Sequence, residues 1–280
     1  MNNMLLRALS GSVYVALIVL SLLFGHNYNL FSVLMGVFAV LGILELEKLM
    51  SAKSPISKIE LFTDIAATLL LFTTTFNSEN LIFALITLII YLPVRMVIAV
   101  TARHENAARS FLYSLLAIVY VAVPLLLISL PAVIFSNSRS SFDFVLVTFV
   151  FIWLNDTGAY LTGRSFGRTK LCERLSPKKT WEGFWGGLLL SMIAGFFSPY
   201  YLDLPQAASI PMAVYAALVS VLGTFGDLFE SMIKRTLGVK DSGNIIPGHG
   251  GILDRIDSLL AVAPIVLLAM VIIFTPFSKM

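Results

Sequence analysis

The feature that most constrains this chain is a series of nine apolar runs, each close to the length of a helix that crosses a bilayer. They cover residues 8–25, 29–46, 60–77, 80–99, 110–130, 142–157, 183–202, 210–230 and 258–275. A transmembrane helix needs about 20 mostly apolar residues, and continuous runs indicate helices because the strands of a membrane barrel would alternate. We therefore expect an all-α, polytopic integral membrane protein with about nine transmembrane helices.

Composition excludes the two main alternatives. Of the 280 residues, 58% are hydrophobic and 12% are charged, against about 25% charged in an average soluble domain. A soluble enzyme could not cover that much apolar surface, and a disordered chain needs low hydrophobicity and high charge. The single cysteine, Cys172, excludes an intrachain disulfide. The net charge of +3 does not indicate nucleic-acid binding, because basic loops are usual in membrane proteins.

The basic residues predict the orientation of the helices. With nine spans, every Lys and Arg except Arg139 and Lys279 falls on one side of the membrane. Cytoplasmic loops carry an excess of Lys and Arg. We therefore expect a cytoplasmic N-terminus and, because the number of spans is odd, a C-terminus outside. The first run has no clear cleavage site after it, which favours an uncleaved helix over a signal peptide.

Two polar segments, 156–182 and 231–257, fall on the basic side. Both are dense in Gly, Pro, Ser, Thr and charged residues. In a chain that is otherwise lipid-soluble, these segments are the candidates for chemistry. We treat 1–280 as a single membrane domain, with the N-terminal helices in 1–141 (about five spans) and a catalytic half in 142–280.

Closely spaced charges begin just before the segment 231–257. If the apolar helix continues, Asp227, Ser231 and Lys234 share one face, at i, i+4 and i+7. An Asp near the end of an apolar helix needs a partner or a polar cavity. Solvent at the membrane interface is the alternative explanation for Asp227.

A glycine-rich turn follows at residues 247–251. Its backbone N–H groups could form an anion-binding nest ahead of a helix that begins near Ile252. Asp254 would then lie in the first turn of that helix, with Asp257 three residues on, where the helix dipole favours acidic side chains. The alternative is a glycine-rich helix start with acidic capping.

The combination of carboxylates, cations and a glycine turn predicts a site for a magnesium–polyphosphate substrate. Carboxylates suit Mg²⁺, which binds through one or two protein oxygens plus substrate phosphates. Lys and Arg suit the phosphates themselves. The sequence contains neither a Cys/His set with zinc spacing nor a nucleophile elbow.

The segment 156–182 adds a second set of phosphate-binding candidates. Residues 163–170 are not a P-loop, because the glycines are four residues apart and no Gly-Lys-Ser/Thr ends the run. Residues 176–180 place hydroxyl and ammonium groups at a helix entry, where an anion is stabilised. The alternative is that these basic residues anchor the topology and contact lipid phosphates.

The stretch from Ser231 to Asp257 resembles the signature of the CDP-diacylglycerol synthases, or phosphatidate cytidylyltransferases. That signature is a Ser, then Lys-Arg, Lys-Asp, Pro-Gly-His-Gly-Gly and Asp-Arg-hydrophobic-Asp at fixed spacing, and every element is present. Residues 155–160 and 176–183 look like the family's second motif region. The resemblance implies transfer of CMP from CTP to phosphatidic acid, giving CDP-diacylglycerol and pyrophosphate. It further implies Mg²⁺, with room for a second cation such as K⁺, and a homodimer in the inner (plasma) membrane with its active site facing the cytoplasm.

The resemblance and the residues together give a set of predicted site residues. The expected metal ligands are Asp227 and Asp254. Further catalytic residues, which contact phosphates or shape the site, are Ser231, Lys234, Arg235, Lys240, Asp241, His249, Arg255 and Asp257. Substrate-binding residues are Asp156, Ser176, Lys178, Lys179, Thr180, Gly250 and Gly251. His249 could ligate a metal, donate to phosphate or position the loop.

Three other functions are compatible with parts of this pattern. Buried charges and broken helices also mark transporters, although here the charges cluster on one side and no repeat is evident. A cytidylyltransferase acting on a different lipid phosphate would carry the same signature. A lipid-binding protein could have kept the signature without catalysis, but no residue in the sequence supports that loss.

Overall fold

The computed structural model describes residues 3–24, 29–76, 81–102, 106–135, 139–248 and 250–274. Within these ranges the regular secondary structure is helical apart from one short hairpin, and the glycine-rich loop between residues 237 and 252 is irregular. The α-helices are α1 (Asn3–Leu23), α2 (Leu30–Ser51), α3 (Lys58–Thr73), α4 (Leu81–Thr101), α5 (Ala107–Ala117), α6 (Val123–Ile134), α7 (Arg139–Phe166), α8 (Trp181–Tyr201), α9 (Ser209–Thr236) and α10 (Leu253–Ala269). Strands β1 (Lys170–Cys172) and β2 (Ser176–Thr180) pair antiparallel between α7 and α8.

Seven of the described helical segments are long and apolar enough to cross a membrane. They are Leu30–Ser51, Lys58–Phe76, Leu81–Thr101, Ala107–Pro131, Ser141–Phe166, Gln206–Thr236 and Leu253–Ile273. A π-helical turn, Ile118–Ala122, joins α5 to α6 within the fourth of them. The apolar part of α1, Leu9–Leu23, is shorter, and α8 does not belong to this group. The expectation of an all-helical polytopic membrane protein is therefore confirmed, whereas the number nine and the side of each terminus stay predictions.

The chain divides into two compact units. Unit 1 comprises residues 1–138 and 236–255, and unit 2 comprises residues 139–235 and 256–280. The expected division into 1–141 and 142–280 differs from this one in the placement of residues 236–255 and, by three residues, in the boundary at 139–141. Residues 236–255 join the N-terminal helices because the glycine-rich loop is hydrogen-bonded to α2, as described below.

Unit 1 contains a buried cluster of charged residues. Arg95 on α4 is fully buried, and its guanidinium lies 3.2 Å from Asp64 Oδ1 and 3.4 Å from Glu60 Oε1 on α3. Tyr91 donates to Asp64 Oδ1, and Ser110 on α5 donates to Glu60. Charges inside a membrane domain are tolerated when they pair with one another. Arg95, which the topology analysis counted with the basic loop residues, is instead an internal ion-pair partner.

Unit 2 is organised around a close contact between α7 and α8. A Cβ atom added to Gly187 on α8 would lie 2.5 Å from the backbone oxygen of Asn155 on α7 and 2.6 Å from its side-chain Oδ1. The absence of a side chain at Gly187 is therefore what lets the two helices approach. Gly158 on α7 faces the same contact, where an added Cβ would lie 3.0 Å from the Cα of Gly187.

We expect the variant Gly187→Ala to lower the free energy of unfolding by about 1–3 kcal/mol, because the added methyl group forces α7 and α8 apart. Gly223→Ala on α9 is the matched control, since its Cβ would meet Ser258 and Val262 only at 3.6 Å and beyond. The control should be neutral or slightly stabilising, because Ala is a better helix former than Gly. Thermal unfolding in detergent micelles tests this, and equal losses in the two variants would contradict the packing argument.

The hairpin is attached to the start of α8 by two capping interactions. The Thr180 hydroxyl accepts a hydrogen bond from Gly183 N, which makes Thr180 the N-cap of α8. Glu182, in the first turn, accepts hydrogen bonds from the backbone N–H groups of Arg168 and Thr169. Hydrogen bonds from its own backbone N–H and from those of Arg168 and Thr169 lower the pKa of Glu182 from 4.5 to about 2.

This lowered pKa predicts how the hairpin responds to acid. The ionised carboxylate is favoured in the folded hairpin, so its contribution is complete above pH 4.5 and is lost as the pH falls towards 2. At pH 7 we expect Glu182→Gln to speed amide hydrogen exchange at Arg168 and Thr169. The difference from wild type should shrink between pH 4.5 and pH 2, whereas a difference independent of pH would contradict this role.

Candidate functional site

A polar cavity of about 300 Å³ lies in unit 2, beside the hairpin. It is lined from α7, from both strands of the hairpin, from the start of α8 and from α9. Its walls include Asn155, Asp156, Ala159, Tyr160, Leu171, Lys178, Lys179, Thr180, Gly183, Phe184, Thr224 and Asp227. The volume falls at the lower end of the range for ligand sites. Five predicted site residues, namely Asp156, Lys178, Lys179, Thr180 and Asp227, therefore share one cavity.

An ion pair crosses this cavity. Lys179 Nζ on β2 lies 2.6 Å from Asp227 Oδ2 on α9, and both side chains are about one-third exposed. The helix α9 continues to Thr236, so the condition for Asp227 and Ser231 to share a face is met, and Ser231 Oγ donates to Asp227 Oδ1 at 3.4 Å. Each member of the pair is thus accessible from the cavity and holds a partner that a substrate phosphate or a cation could replace.

The carboxyl groups around Asp227 form an acidic region. Asp257, half-buried on α10, lies within electrostatic range of Asp227, Glu230 and Asp156. Among the residues that the structure describes, no group of three or more His, Cys, Asp or Glu side chains is arranged to hold a metal ion. Mg²⁺ needs no such group, since it keeps several waters and takes the remaining ligands from substrate phosphates. The oxygen donors at Asp227, with Asp156 and Asp257 nearby, therefore fit Mg²⁺.

Neutral hydrogen bonds fix the inner wall of the cavity. The Asn155 amide is buried on α7 and donates from Nδ2 to Thr224 Oγ1 on α9 at 3.3 Å. Ser220, one turn earlier on α9, donates its hydroxyl proton to Asn155 Oδ1. Because both ends of the amide are engaged, α7 and α9 are held in one register at the level of the cavity.

Lys234, which was expected to share a face with Asp227, has Glu230 on the same helix as its ion-pair partner. Lys234 is buried, and Glu230, one turn before it, is also buried. Arg235 next to it is exposed. Ser176 lies at the start of β2, opposite Cys172, and does not line the cavity.

The glycine-rich loop belongs to unit 1 and is held by two carboxylates. Asp254 Oδ2 accepts hydrogen bonds from Ser242 N, Ser242 Oγ and Gly251 N at 2.8–3.0 Å. Gly250 has a φ of +85°, and a Cβ added there would collide with Asp254 Oδ2. The other carboxylate is Glu45 on α2.

The other predicted site residues in and around this loop differ in their exposure and in their hydrogen-bond partners. Asp254 and Asp227 fall in different units, and the role of Asp254 as a metal ligand stays a prediction. A cation at its Oδ2 would compete with the three donors. The Gly251 N–H points to Asp254, so it is already used within the loop. Lys240 and Asp241 are exposed and Arg255 is half-buried. His249 lies outside the described residues.

Sequence reasoning missed several residues that build these sites. Glu45 is not among the predicted site residues, because nothing in an apolar helix shows which loop its side chain meets. Ser220, Thr224 and Glu182 were not singled out. Asn155 has a usable signal in the sequence, because with Asp156 it forms a polar pair within an apolar run.

Comparison with known proteins agrees with the chemistry of the cavity. The model of the cytidylyltransferase family matches residues 5–273. The phosphatidate cytidylyltransferase of Staphylococcus saprophyticus is 33% identical over 254 residues, which are 91% of this chain and 86% of that protein. That of Staphylococcus haemolyticus is 33% identical over 90% of this chain and 85% of its own length. A shorter alignment with the Staphylococcus epidermidis protein is 46% identical over 132 residues, covering 47% of this chain and 50% of that protein.

These matches confirm the resemblance that the signature indicated. The family model spans nearly the whole chain, so it includes both the helices that line the cavity and the glycine-rich loop. The chain belongs to the cytidylyltransferase family and is a nucleotidyltransferase.

Proposed function

We propose that this chain transfers the cytidylyl group of CTP to the phosphate of phosphatidic acid, giving CDP-diacylglycerol and pyrophosphate with the help of Mg²⁺. The observation that carries the proposal is the Lys179–Asp227 pair across a polar cavity in a polytopic membrane protein of the cytidylyltransferase family. The curated relatives named phosphatidate cytidylyltransferase support the choice of lipid.

The reaction needs positioning and charge neutralisation more than a base. An oxygen of the lipid phosphate forms a bond to the α-phosphorus of CTP, and the bond from that phosphorus to the bridging oxygen of the leaving group breaks. Pyrophosphate departs with the electron pair. The lipid phosphate is already anionic at pH 7, so no side chain has to remove a proton from it, and electrostatic stabilisation becomes the main task.

The side chains of the cavity can perform this task in defined ways. Lys179, now paired with Asp227, can exchange that partner for a phosphate oxygen without losing its ion pairing. Lys178 is exposed at the same rim, and its ammonium group adds a second positive charge for phosphate binding. Ser231 offers a hydroxyl donor next to Asp227. The fixed Asn155–Thr224 pair keeps the inner wall in place while phosphates bind.

Asp227 would hold the metal ion, with Asp156 and Asp257 as nearby oxygen donors. Mg²⁺ bound there would neutralise the charge that develops on the phosphate oxygens during transfer. A second cation such as K⁺ is part of the proposal. We also infer that the enzyme resides in the inner (plasma) membrane with this cavity at the cytoplasmic face, where CTP is available, and that it forms a homodimer.

A lipid panel tests the choice of substrate. The purified chain is reconstituted into neutral phosphatidylcholine vesicles with phosphatidic acid, CTP and Mg²⁺, and lipid products are identified by mass spectrometry. We expect CDP-diacylglycerol, and none when EDTA is present. If phosphatidic acid fails while an isoprenoid-ether lipid phosphate accepts CMP, the substrate assignment is wrong. If no lipid phosphate in the panel accepts CMP, the proposed activity itself is wrong.

A further inference from the structure

A carboxylate on a membrane helix accepts hydrogen bonds from the glycine-rich loop, which lies about two hundred residues away in sequence. Glu45 on α2 is only 4% exposed. Its Oε1 accepts a hydrogen bond from Ile252 N at 2.9 Å, and its Oε2 accepts one from Leu253 N at 3.0 Å. Ser242 Oγ donates to the same Oε2 at 3.1 Å. One side chain thus contacts both ends of the loop.

These donors explain how a carboxylate can be buried here. Ile252 and Leu253 stand at the start of α10, where backbone N–H groups have no partner within the helix and the dipole is positive. Among the described residues, N–H and O–H donors rather than a Lys or Arg offset the charge of Glu45. The N-terminus of α10 is therefore already filled by an anion that belongs to the protein.

The loop is shaped around this carboxylate. A Cβ added to Gly251 would collide with the Glu45 carboxylate and with Ser242 Oγ, and one added to Gly243 would lie 2.5 Å from Glu45 Oε1. The Ser242 hydroxyl lies between two acceptors, Glu45 Oε2 and Asp254 Oδ2 at 3.0 Å, and has only one proton to donate. Glu45, Ser242 and Asp254 form a connected clamp, which we call the loop clamp.

We propose that Glu45 is a positioning residue for CMP transfer: through the loop clamp it fixes the shape of residues 242–248 and 250–253 and so sets where the flanking residues of the signature stand. The proposal rests on the proposed function. Lys240 and Asp241 lie just before the clamped stretch, and Arg255 lies just after it. The proposal also implies that Ile252 N and Leu253 N bind Glu45 rather than a substrate phosphate, which favours the acidically capped helix start over the open anion nest, the two alternatives from the sequence.

The test compares Glu45→Gln with Glu45→Asp and with the control Glu47→Gln. Gln removes the charge and turns an NH₂ group towards N–H donors, whereas Asp keeps the charge on a shorter side chain. Glu47 lies two residues on in the same helix and is equally buried, but it interacts with Asp64 of the buried cluster in unit 1. Amide hydrogen exchange over 242–253 and the kinetics of CMP transfer are measured for each variant.

We expect Glu45→Gln to speed exchange in residues 242–253 about tenfold and to lower kcat/KM by about 10- to 100-fold, because small displacements of positioned groups cost that much. Glu45→Asp should fall between Gln and wild type, and Glu47→Gln should leave exchange in the loop unchanged. Unchanged exchange in Glu45→Gln would overturn the proposal. Faster exchange with unchanged transfer would overturn it too, because the loop shape would not matter for the reaction.

Two further arms keep the proposal testable. If Glu45→Gln does not fold, Ser242→Ala removes one donor of the clamp and should cause a smaller change of the same sign in both measurements; no change in either would overturn the proposal. If wild type shows no transfer to any lipid phosphate, the proposed function fails by itself. The hydrogen-exchange data then test only whether Glu45 holds the loop in place. Faster exchange in Glu45→Gln supports that role, and unchanged exchange overturns it.

Discussion

Replacing Asp227 by Asn is expected to lower kcat/KM for CMP transfer by about 10³-fold, a loss typical of removing one preorganised electrostatic contact from a reacting centre. The variant keeps the shape of the side chain and can still accept a hydrogen bond from Ser231. It loses the charge that pairs with Lys179 and that would bind Mg²⁺. Kinetics at limiting and saturating Mg²⁺ measure the effect.

The control for this variant is Asp203→Asn. Asp203 is an exposed carboxylate between α8 and α9 with a φ of +54°, a conformation that Asn adopts readily. The variant Asp203→Asn should leave kcat/KM for CMP transfer unchanged. Near-normal activity of Asp227→Asn at limiting Mg²⁺ would contradict its role as a metal ligand. Asp254→Asn is the companion test for the other predicted ligand.

The largest expected effect on stability comes from the buried cluster of unit 1. Arg95→Met should lower the free energy of unfolding by about 3–5 kcal/mol, because it leaves Glu60 and Asp64 buried without the guanidinium that pairs with both. Denaturant titration in detergent micelles measures this loss. Arg109→Met is the matched control, since Arg109 is exposed and contacts only the backbone oxygen of Lys53 at 3.5 Å among the partners that the structure describes.

The control should change stability by less than about 0.5 kcal/mol, as is usual for surface substitutions. A loss below 1 kcal/mol for Arg95→Met would mean that the carboxyl groups of the cluster are neutral and need no counter-charge. The double variant with Glu60→Gln distinguishes the two explanations. If the ion pair is real, removing both charged partners should restore part of the stability that the single variant loses.

The sequence predicted those features that depend on local pattern. The lengths of the apolar runs located the helices, because burial of the backbone in lipid requires continuous apolar helices. The spacing of Asp227 and Ser231 correctly placed them one turn apart on α9. The first turn of α10 contains Asp254, as the position of the glycine turn indicated.

Features that depend on tertiary contacts could not be read from the sequence. The helix α7 continues to Phe166, nine residues beyond the predicted run 142–157, so Tyr160 is helical rather than part of a polar loop. Close packing against the glycines of α8 supports that extension, and no local signal reveals it. The pairing of Glu45 with Ile252 and the burial of Arg95 have the same origin, since their partners lie far away in sequence.

The central claim is that the α-phosphoryl group of CTP is transferred to a lipid. The most direct measurement supplies vesicles containing phosphatidic acid and the purified chain with CTP labelled at the α- or the γ-phosphate. We predict that α-label enters the lipid fraction in an EDTA-sensitive manner, while γ-label appears only in water-soluble pyrophosphate. Entry of γ-label into lipid, or α-label that never enters lipid in a folded preparation, would contradict the account.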